Sequence, residues 1–409
     1  MKAGAAGARI SADVCIVGAG PVGGALACRL ASEGVRTVAL DRAPLPPMEH
    51  PAFDGRAYAV AAGSRRLLEL AGLWDRLPMP TCPILDIRVS DGRLGRPASP
   101  LHLHFDSREA GEAAFGWMVE ARSLRTALNA HMAELPDLTV IAPAEASVER
   151  RDDGALVHVA GGPTISCRLV VAAEGRASPL REQAGIAVSR AAYDQSGIVC
   201  AIAHERPHGC SALEHFLPGG PFAQLPMRGT DGAPNVSAIV WTDRTPVARR
   251  MVELDDAALS REVARRLGPH LGEVRMIGRR WIYPLSALHA HRYVDRRLAL
   301  VGDAAHGIHP IAGQGLNLGL RDVIALSRLV IGAVAHGQDP GDPALLGRYQ
   351  RARRPENLAM LAATDALDRL FSTDLPPVRL VRDLGIGAVN RIPPLKRLFM
   401  RRAMGVAAG

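Results

Sequence analysis

The stretch DVCIVGAGPVGGALACRLASEGVRTVALDRA, Asp13 to Ala43, reads as strand, tight turn, helix and second strand in one unit. Val14 to Val17 form the apolar run of a parallel strand. Gly18, Gly20 and Gly23 then complete a G-x-G-x-x-G pattern, and a small-residue helix continues through Ala25 to Ala31. Each glycine has its own reason: Gly18 makes the turn, Gly20 lets backbone approach a pyrophosphate, and Gly23 lets the helix lie tightly on the sheet. A diphosphate would rest on the helix N-terminus, where free N–H groups and the helix dipole favour negative charge. Asp41 ends the next strand, where a carboxylate accepts hydrogen bonds from a ribose diol. The unit predicts an adenine dinucleotide and does not separate FAD from NAD.

A distant stretch makes that choice. LALVGDAAHGIHPIAGQGLNLGLRDV, Leu298 to Val323, reads as a short strand ending at Gly302 and Asp303, then a loop, then a helix. Beside the first unit, Asp303 could hydrogen-bond ribitol or ribose hydroxyls. Gly313, Gly315 and Gly319 let backbone N–H groups point at one edge of a planar ring, with a helix dipole behind them to stabilise the negative charge of a reduced flavin. The chain shows no second G-x-G-x-x-G unit, so a reductase with two Rossmann domains is disfavoured.

Bulk properties narrow the partners. With 409 residues, 48% hydrophobic and 22% charged, the chain is long enough for two or three domains sharing a core. Its net charge of +8 favours anionic partners. Aromatic residues make up only 4%, with no basic run interleaved with them, which argues against nucleic acid. The six cysteines form no CxxC pair, as expected of reduced thiols in a cytoplasmic setting. No run approaches the roughly 18 apolar residues of a spanning helix, so any membrane contact is expected to be peripheral, on the inner face. Asp303, His306 and His309 have metal-ligand chemistry, but the glycine loop around them argues against a metal. His102 and His104, and His289 and His291, are expected at solvated strand edges.

These motifs resemble the class A FAD-dependent aromatic hydroxylases with the para-hydroxybenzoate hydroxylase fold. The resemblance rests on GAGPVG, on AAEGRASPLRE (Ala172 to Glu182) and on GDAAHGIHPIAGQGLNLGLRD, and it covers nearly the whole chain. FDGRAYAVAAGS, YQRARRPENLAML and PPLKRLFMRRAMG look most like the ubiquinone-biosynthesis ring hydroxylases. The resemblance implies hydroxylation of a polyprenylated phenol with FAD, NADPH or another electron donor, and O2 as co-substrate. It places Gly18, Gly20, Pro21, Gly23, Asp41, Arg42, Arg56, Gly302, Asp303, Gly313, Gly315, Leu316 and Asn317 around the cofactor, and His309, Pro310 and Gln314 at the reacting ring. Glu174-Gly175 stands where the family has Asp-Gly, so the longer carboxylate reaches the cofactor or NADPH by a shifted backbone. Arg122 either reaches the cofactor or belongs to a salt-bridged helix surface.

The expected fold is α/β: a discontinuous Rossmann-like FAD-binding domain (1–75, 105–182 and 285–350), an antiparallel β-sheet substrate domain (76–104 and 183–284) and a C-terminal helical segment (351–409). Near the end, Lys396, Arg397, Arg401 and Arg402 alternate with Leu395, Leu398 and Phe399. Such a helix could lie on an anionic membrane or pack on the FAD domain with its basic face in solvent. A ubiquinone-biosynthesis complex is a further expected partner. The competing activities are hydroxylation of a small soluble phenol or benzoate, isoprenoid reduction, and a noncatalytic flavoprotein in a biosynthetic complex.

Overall fold

The computed structural model describes residues 8–45, 53–92, 94, 103–229, 232, 233, 235–308, 314–372, 396, 400, 404 and 405. Val14–Val17, Thr37–Leu40, Leu169–Ala172 and Leu298–Leu300 are short, almost continuously buried apolar runs, as strands covered on both faces must be. With Leu138–Ile141 they form a parallel sheet, closed at one edge by the antiparallel strand Val294–Asp295. Val17 pairs with Leu40 and with Ala172, and Ala172 pairs with Leu300. The four chain segments that follow these residues therefore leave the sheet at one common edge.

Helices Pro21–Ala31 and Gln314–Ala335 cover this sheet, their apolar positions merging into its core. Pro343–Ser372 is one helix, which begins before the expected start of the C-terminal helical segment at 351. Its Tyr349 hydroxyl donates to the Leu300 carbonyl (2.7 Å), fastening it to the sheet.

A second, eight-stranded sheet is mostly antiparallel and built on two 17-residue strands, Val188–His204 and Val274–Ala290. Period-two alternation gives it two distinct faces. Ile198, Cys200, Ile202, Phe222, Ile239 and Trp241 pack on one side with the helix Asp256–Leu267. Asp255 caps that helix by accepting the Ala258 N–H (2.6 Å). The opposite face turns toward the segment around Phe53 to Arg56, where Trp281 Nε1 donates to the Asp54 carbonyl (2.7 Å). Val274–Ala290 runs across the 284/285 division expected from sequence, and the chain returns to this sheet at His306–Gly307.

Two surface expectations are corrected. His289 is buried, and burial pushes its imidazole down to about 4, so it is neutral at pH 7. Its partner His291 lies just past the end of the strand at Ala290 and is exposed. His104 pairs with Asp86 (2.7 Å), while His102 lies outside the described residues. Lys396, expected on a solvated or lipid-facing basic stripe, is buried and paired with Glu109 (2.8 Å). Met400 and Met404, at four-residue steps from it, are buried against Ala62, Ile84 and Phe115. Arg397, Arg401 and Arg402 lie outside the described residues. Among the described residues, no helix is long and apolar enough to cross a membrane.

Candidate flavin site

The common edge of the parallel sheet gathers the sequence motifs. Gly18 turns with φ at +106°, and a Cβ there would stand 2.3 Å from the Ala173 carbonyl oxygen. A Cβ on Gly23 would lie 1.9 Å from the Gly18 carbonyl oxygen. The turn, the helix and the end of Leu169–Ala172 are thus packed too closely for any side chain. Gly20 differs, with nothing within 4 Å of its Cβ position. It caps the helix, Pro21 follows in the first turn, and no side chain hydrogen-bonds the helix start. That leaves donors and open space where an anion would sit. Asp41 accepts the Ala19 N–H (2.8 Å) and the Ala43 N–H (3.0 Å), which fixes its carboxylate beside this cradle. Arg42 is exposed next to it.

The middle and third motifs meet here as well. Val22 of the first helix lies against both Gly302 (φ +59°) and Gly319, the latter 2.6 Å from Val22 to its Cβ position. Buried Arg181 donates to the Ala304 carbonyl (3.0 Å) and to the Arg176 carbonyl (2.9 Å), tying the two loops together. Asp303 is half-exposed, and its carboxylate accepts from Arg176 (3.2 Å), a partner not anticipated although it lies within AAEGRASPLRE. Glu174 is turned to its own loop: it accepts from the Ser178 hydroxyl (2.5 Å) and the Leu180 N–H (3.2 Å). Burial pushes its carboxyl up, against the pull of those hydrogen bonds and of Arg181 and Arg42. Gly175, at φ +84°, makes the turn after it.

Beneath the loop lies a buried ionic network that patterning does not reveal. Asp322, fully buried, accepts from His306 (2.5 Å) and from the Gly302 N–H (3.0 Å) on one oxygen. Its other oxygen accepts from Arg353 (2.9 Å) and Asn357 (3.1 Å). Arg353 continues to Glu356, which also accepts from Arg321 (3.1 Å). Burial pushes the Asp322 carboxyl up, but His306 and Arg353 outweigh it and hold it below the usual carboxylate range. His306 thus braces the loop.

The helix start carries Gln314, Gly315, Leu316 and Asn317. Gly315 has open space around its Cβ position, and the buried Gln314 Oε1 has no hydrogen-bond partner among the described residues. Leu316 packs on the core. Asn317 is buried, its oxygen accepting the Ala61 N–H and its nitrogen donating to the Ala59 carbonyl, both 2.8 Å. It clamps the strand Ala57–Ala61 onto the helix. His309, Pro310 and Gly313 lie outside the described residues. Arg56 pairs with Asp54 (2.6 Å) and stacks 4.5 Å over Trp281. Arg122 is not on a helix surface: it is buried and paired with buried Glu120 (2.5 Å) at the helix start. That pair adjoins a cavity of about 220 Å³ between Phe53 and Glu120 on one side and Met227, Val236 and Ile277 on the other.

Cys82, His208 and Cys210 also cluster, their ligand atoms within 4.8 Å of one another. His208 accepts the Cys210 N–H (3.0 Å) on one nitrogen and donates to the Met227 carbonyl (2.9 Å) from the other. Neither nitrogen is left for a metal, and burial pushes the Cys82 thiol up to about 12.

An anion cradle on a capless helix, a ribose-type acid and a second glycine loop with an orphaned acceptor fit one extended FAD and define a flavoprotein of the aromatic-hydroxylase type. A family model described as an FAD binding domain matches residues 11–364. A ubiquinone hydroxylase, UbiL, of Rhodospirillum rubrum is 51% identical over 395 residues, covering 96% of this chain and 90% of that protein. The 3-demethoxyubiquinol 3-hydroxylase of Escherichia coli is 35% identical over 397 residues, covering 96% and 98%. The crystal structure of p-nitrophenol 4-monooxygenase PnpA from Pseudomonas putida superposes with a TM-score of 0.75 over 98% of this chain and 100% of that one; at 18% identity it supports the fold alone. The chain belongs to the FAD-binding-domain family.

Proposed function

We propose that this FAD-dependent aromatic-ring monooxygenase hydroxylates a polyprenylated phenol in ubiquinone biosynthesis. The observation that carries the reading is the near full-length similarity to ubiquinone ring hydroxylases in a chain whose two glycine loops share one sheet edge. FAD, reduced by NADPH or another donor, supplies the chemistry that activates O2. The protein has to hold the cofactor, keep water away and present the ring. Gly18, Gly20 and Gly23 admit the diphosphate, with Pro21 setting the helix start and Asp41 and Arg42 at the ribose side. Asp303, steadied by Arg176, takes ribitol hydroxyls, while Gly302, Gly315, Leu316 and Asn317 shape the ring seat, with Gln314 offering an acceptor that has no partner among the described residues. Arg56, Arg122, Glu174 and Gly175 complete the surroundings in this reading, the last two by ordering the loop next to Asp303. His309, Pro310 and Gly313 keep the roles the resemblance gives them.

We take 1–75, 105–182 and 285–350 as the FAD-binding portion, 76–104 and 183–284 as the substrate roof, with the strand Val274–Ala290 running on from one into the other, and 351–409 as the C-terminal segment. A peripheral membrane contact and a biosynthetic complex belong to the same proposal, since a prenyl tail partitions into lipid. Failure to float with anionic liposomes would remove the contact.

Purified yellow protein is expected to oxidise NADPH with oxygen uptake on prenylated phenols and more slowly on unprenylated ones. Reductant consumption without oxygen uptake would favour an isoprenoid reductase. Asp303→Ala is expected to weaken FAD binding about tenfold, the loss of a charged hydrogen bond. A fully loaded variant would contradict the ribitol assignment.

A further inference from the structure

Hydroxylating a phenol requires a group that takes the O–H proton as the ring attacks, and among the described residues the roles assigned above do not supply it. Strand register points to one on the roof. In the eight-stranded sheet Glu214 lies opposite Val89 on one side and Ala223 on the other. Ala223 lies opposite Val240, Val240 opposite Val199, and Val199 opposite Trp281. Directly opposed residues share a face, so this row is one line across the sheet. Trp281 marks the face: it donates to the Asp54 carbonyl and carries Arg56 stacked on it. The row is thus an apolar ceiling, with an acid at one end and the Arg56–Trp281 pair at the other. The four strand steps between them span about 19 Å. The helices of the second core lie on the opposite face.

Glu214 has no hydrogen bond or ion pair among the described residues, unlike Glu120, Glu174 and Asp322. Its side chain keeps some accessible surface, yet burial pushes its carboxyl up to about 7. Glu214 is thus a partly covered acid, unpaired among the described residues, in surroundings that disfavour its charge. Of the described residues paired beside it, Ala223 and Val89 are neutral, and His215 turns to the other face to bond Ser90 (2.8 Å). On the helix packed against these strands, Asp365 accepts from the Tyr193 hydroxyl (3.0 Å).

We propose that Glu214 is the general base that accepts the phenolic proton during ring hydroxylation. The inference rests on the hydroxylase reading above. In the step, the phenol O–H bond breaks and the proton passes to a Glu214 carboxylate oxygen. The freed electron pair is pushed through the ring to the carbon that forms the new C–O bond to one oxygen atom of the O2 that FAD would activate. The O–O bond breaks, and the second oxygen leaves as water, its two electrons supplied by NADPH. The proton on that carbon leaves as the ring regains aromaticity. A general base is most effective when its pKa lies near the working pH, where it is ionised yet still basic.

The test uses the FAD-loaded full chain with 2-farnesylphenol and NADPH. In the wild type, kcat/KM is expected to rise with pH through a limb near 7, as Glu214 ionises. In Glu214→Gln, kcat is expected to fall about 100-fold. Its limb should move toward the phenol's own ionisation near about 10, and hydrogen peroxide should replace hydroxylated product per NADPH consumed. Glu214→Asp should recover part of the rate and the limb near 7. Binding of 2-farnesylphenol to flavin-free protein, followed by tryptophan fluorescence, should be unchanged in Glu214→Gln. A Gln variant with the wild-type rate and limb would overturn the assignment while leaving the hydroxylase reading intact. So would parallel loss of phenol binding and rate in both variants, which marks a structural role. A wild type that hydroxylates no phenol at all would overturn the reading on which the inference rests.

Discussion

Alanine at position 23 is expected to leave the purified chain nearly colourless. The added methyl would have to stand 1.9 Å from the Gly18 carbonyl oxygen and 2.9 Å from the Ala173 Cβ. Both are parts of the packed turn that sets the cradle, so neither can yield without moving the helix N-terminus. Overpacking of this kind costs about 1–3 kcal/mol of stability. Displacing the helix end from the diphosphate removes up to about 2 kcal/mol of favourable interaction, roughly 30-fold in Kd. FAD titration followed by flavin fluorescence measures the second effect, and urea unfolding of the flavin-free protein measures the first. Gly20→Ala separates them. Its Cβ position is open, so the fold should be little affected, and only an occupied diphosphate site would make that variant bind FAD more weakly.

Asp322→Ala should be the most destabilising substitution in the network under the ring loop. It leaves Arg353 and Asn357 facing an empty carboxylate position and frees His306 and the Gly302 N–H. Removing one partner of a buried ion pair costs about 3–5 kcal/mol. The pH dependence has a definite sign. The folded-state carboxyl is held below its ordinary value, so its contribution is fully present above the unfolded pKa of about 4 and is lost as pH falls through the folded value. The stability gap between wild type and variant, measured by urea unfolding, should therefore be wide at pH 7 and narrow in acid. A gap independent of pH would mean that the carboxylate charge is not what holds the loop.

The spacing of Gly18, Gly20, Gly23 and Asp41 was legible because turn, cradle and helix contact impose residue types at fixed offsets along one unit. The third glycine stretch could be tied to it because strand, acid and helix recur there in the same order. The partners of these residues were not legible. Whether Arg122 meets a cofactor, solvent or Glu120 depends on how the strand Gly116–Glu120, paired with Ala57–Ala61, delivers the helix that follows it. The burial of His289 and Lys396 likewise comes from elements far away in sequence. Asp322 stood inside the quoted motif, yet its role needs Arg353 and Asn357, delivered by a helix that begins at Pro343. Glu214 lies in ALEHFLPGGPFAQLPM, within the expected substrate domain, but only the register Glu214–Ala223 and its continuation to Trp281 set it on the roof. Strand pairing is long-range information, which a local pattern does not carry.

The most direct measurement supplies the FAD-loaded chain with NADPH, 2-farnesylphenol and isotopically labelled dioxygen, and weighs the product by mass spectrometry. One labelled oxygen atom on the aromatic ring, formed only when phenol, reductant and FAD are all present, is the predicted result. Oxygen drawn from water, a reduced prenyl tail, or an unchanged phenol would contradict the account.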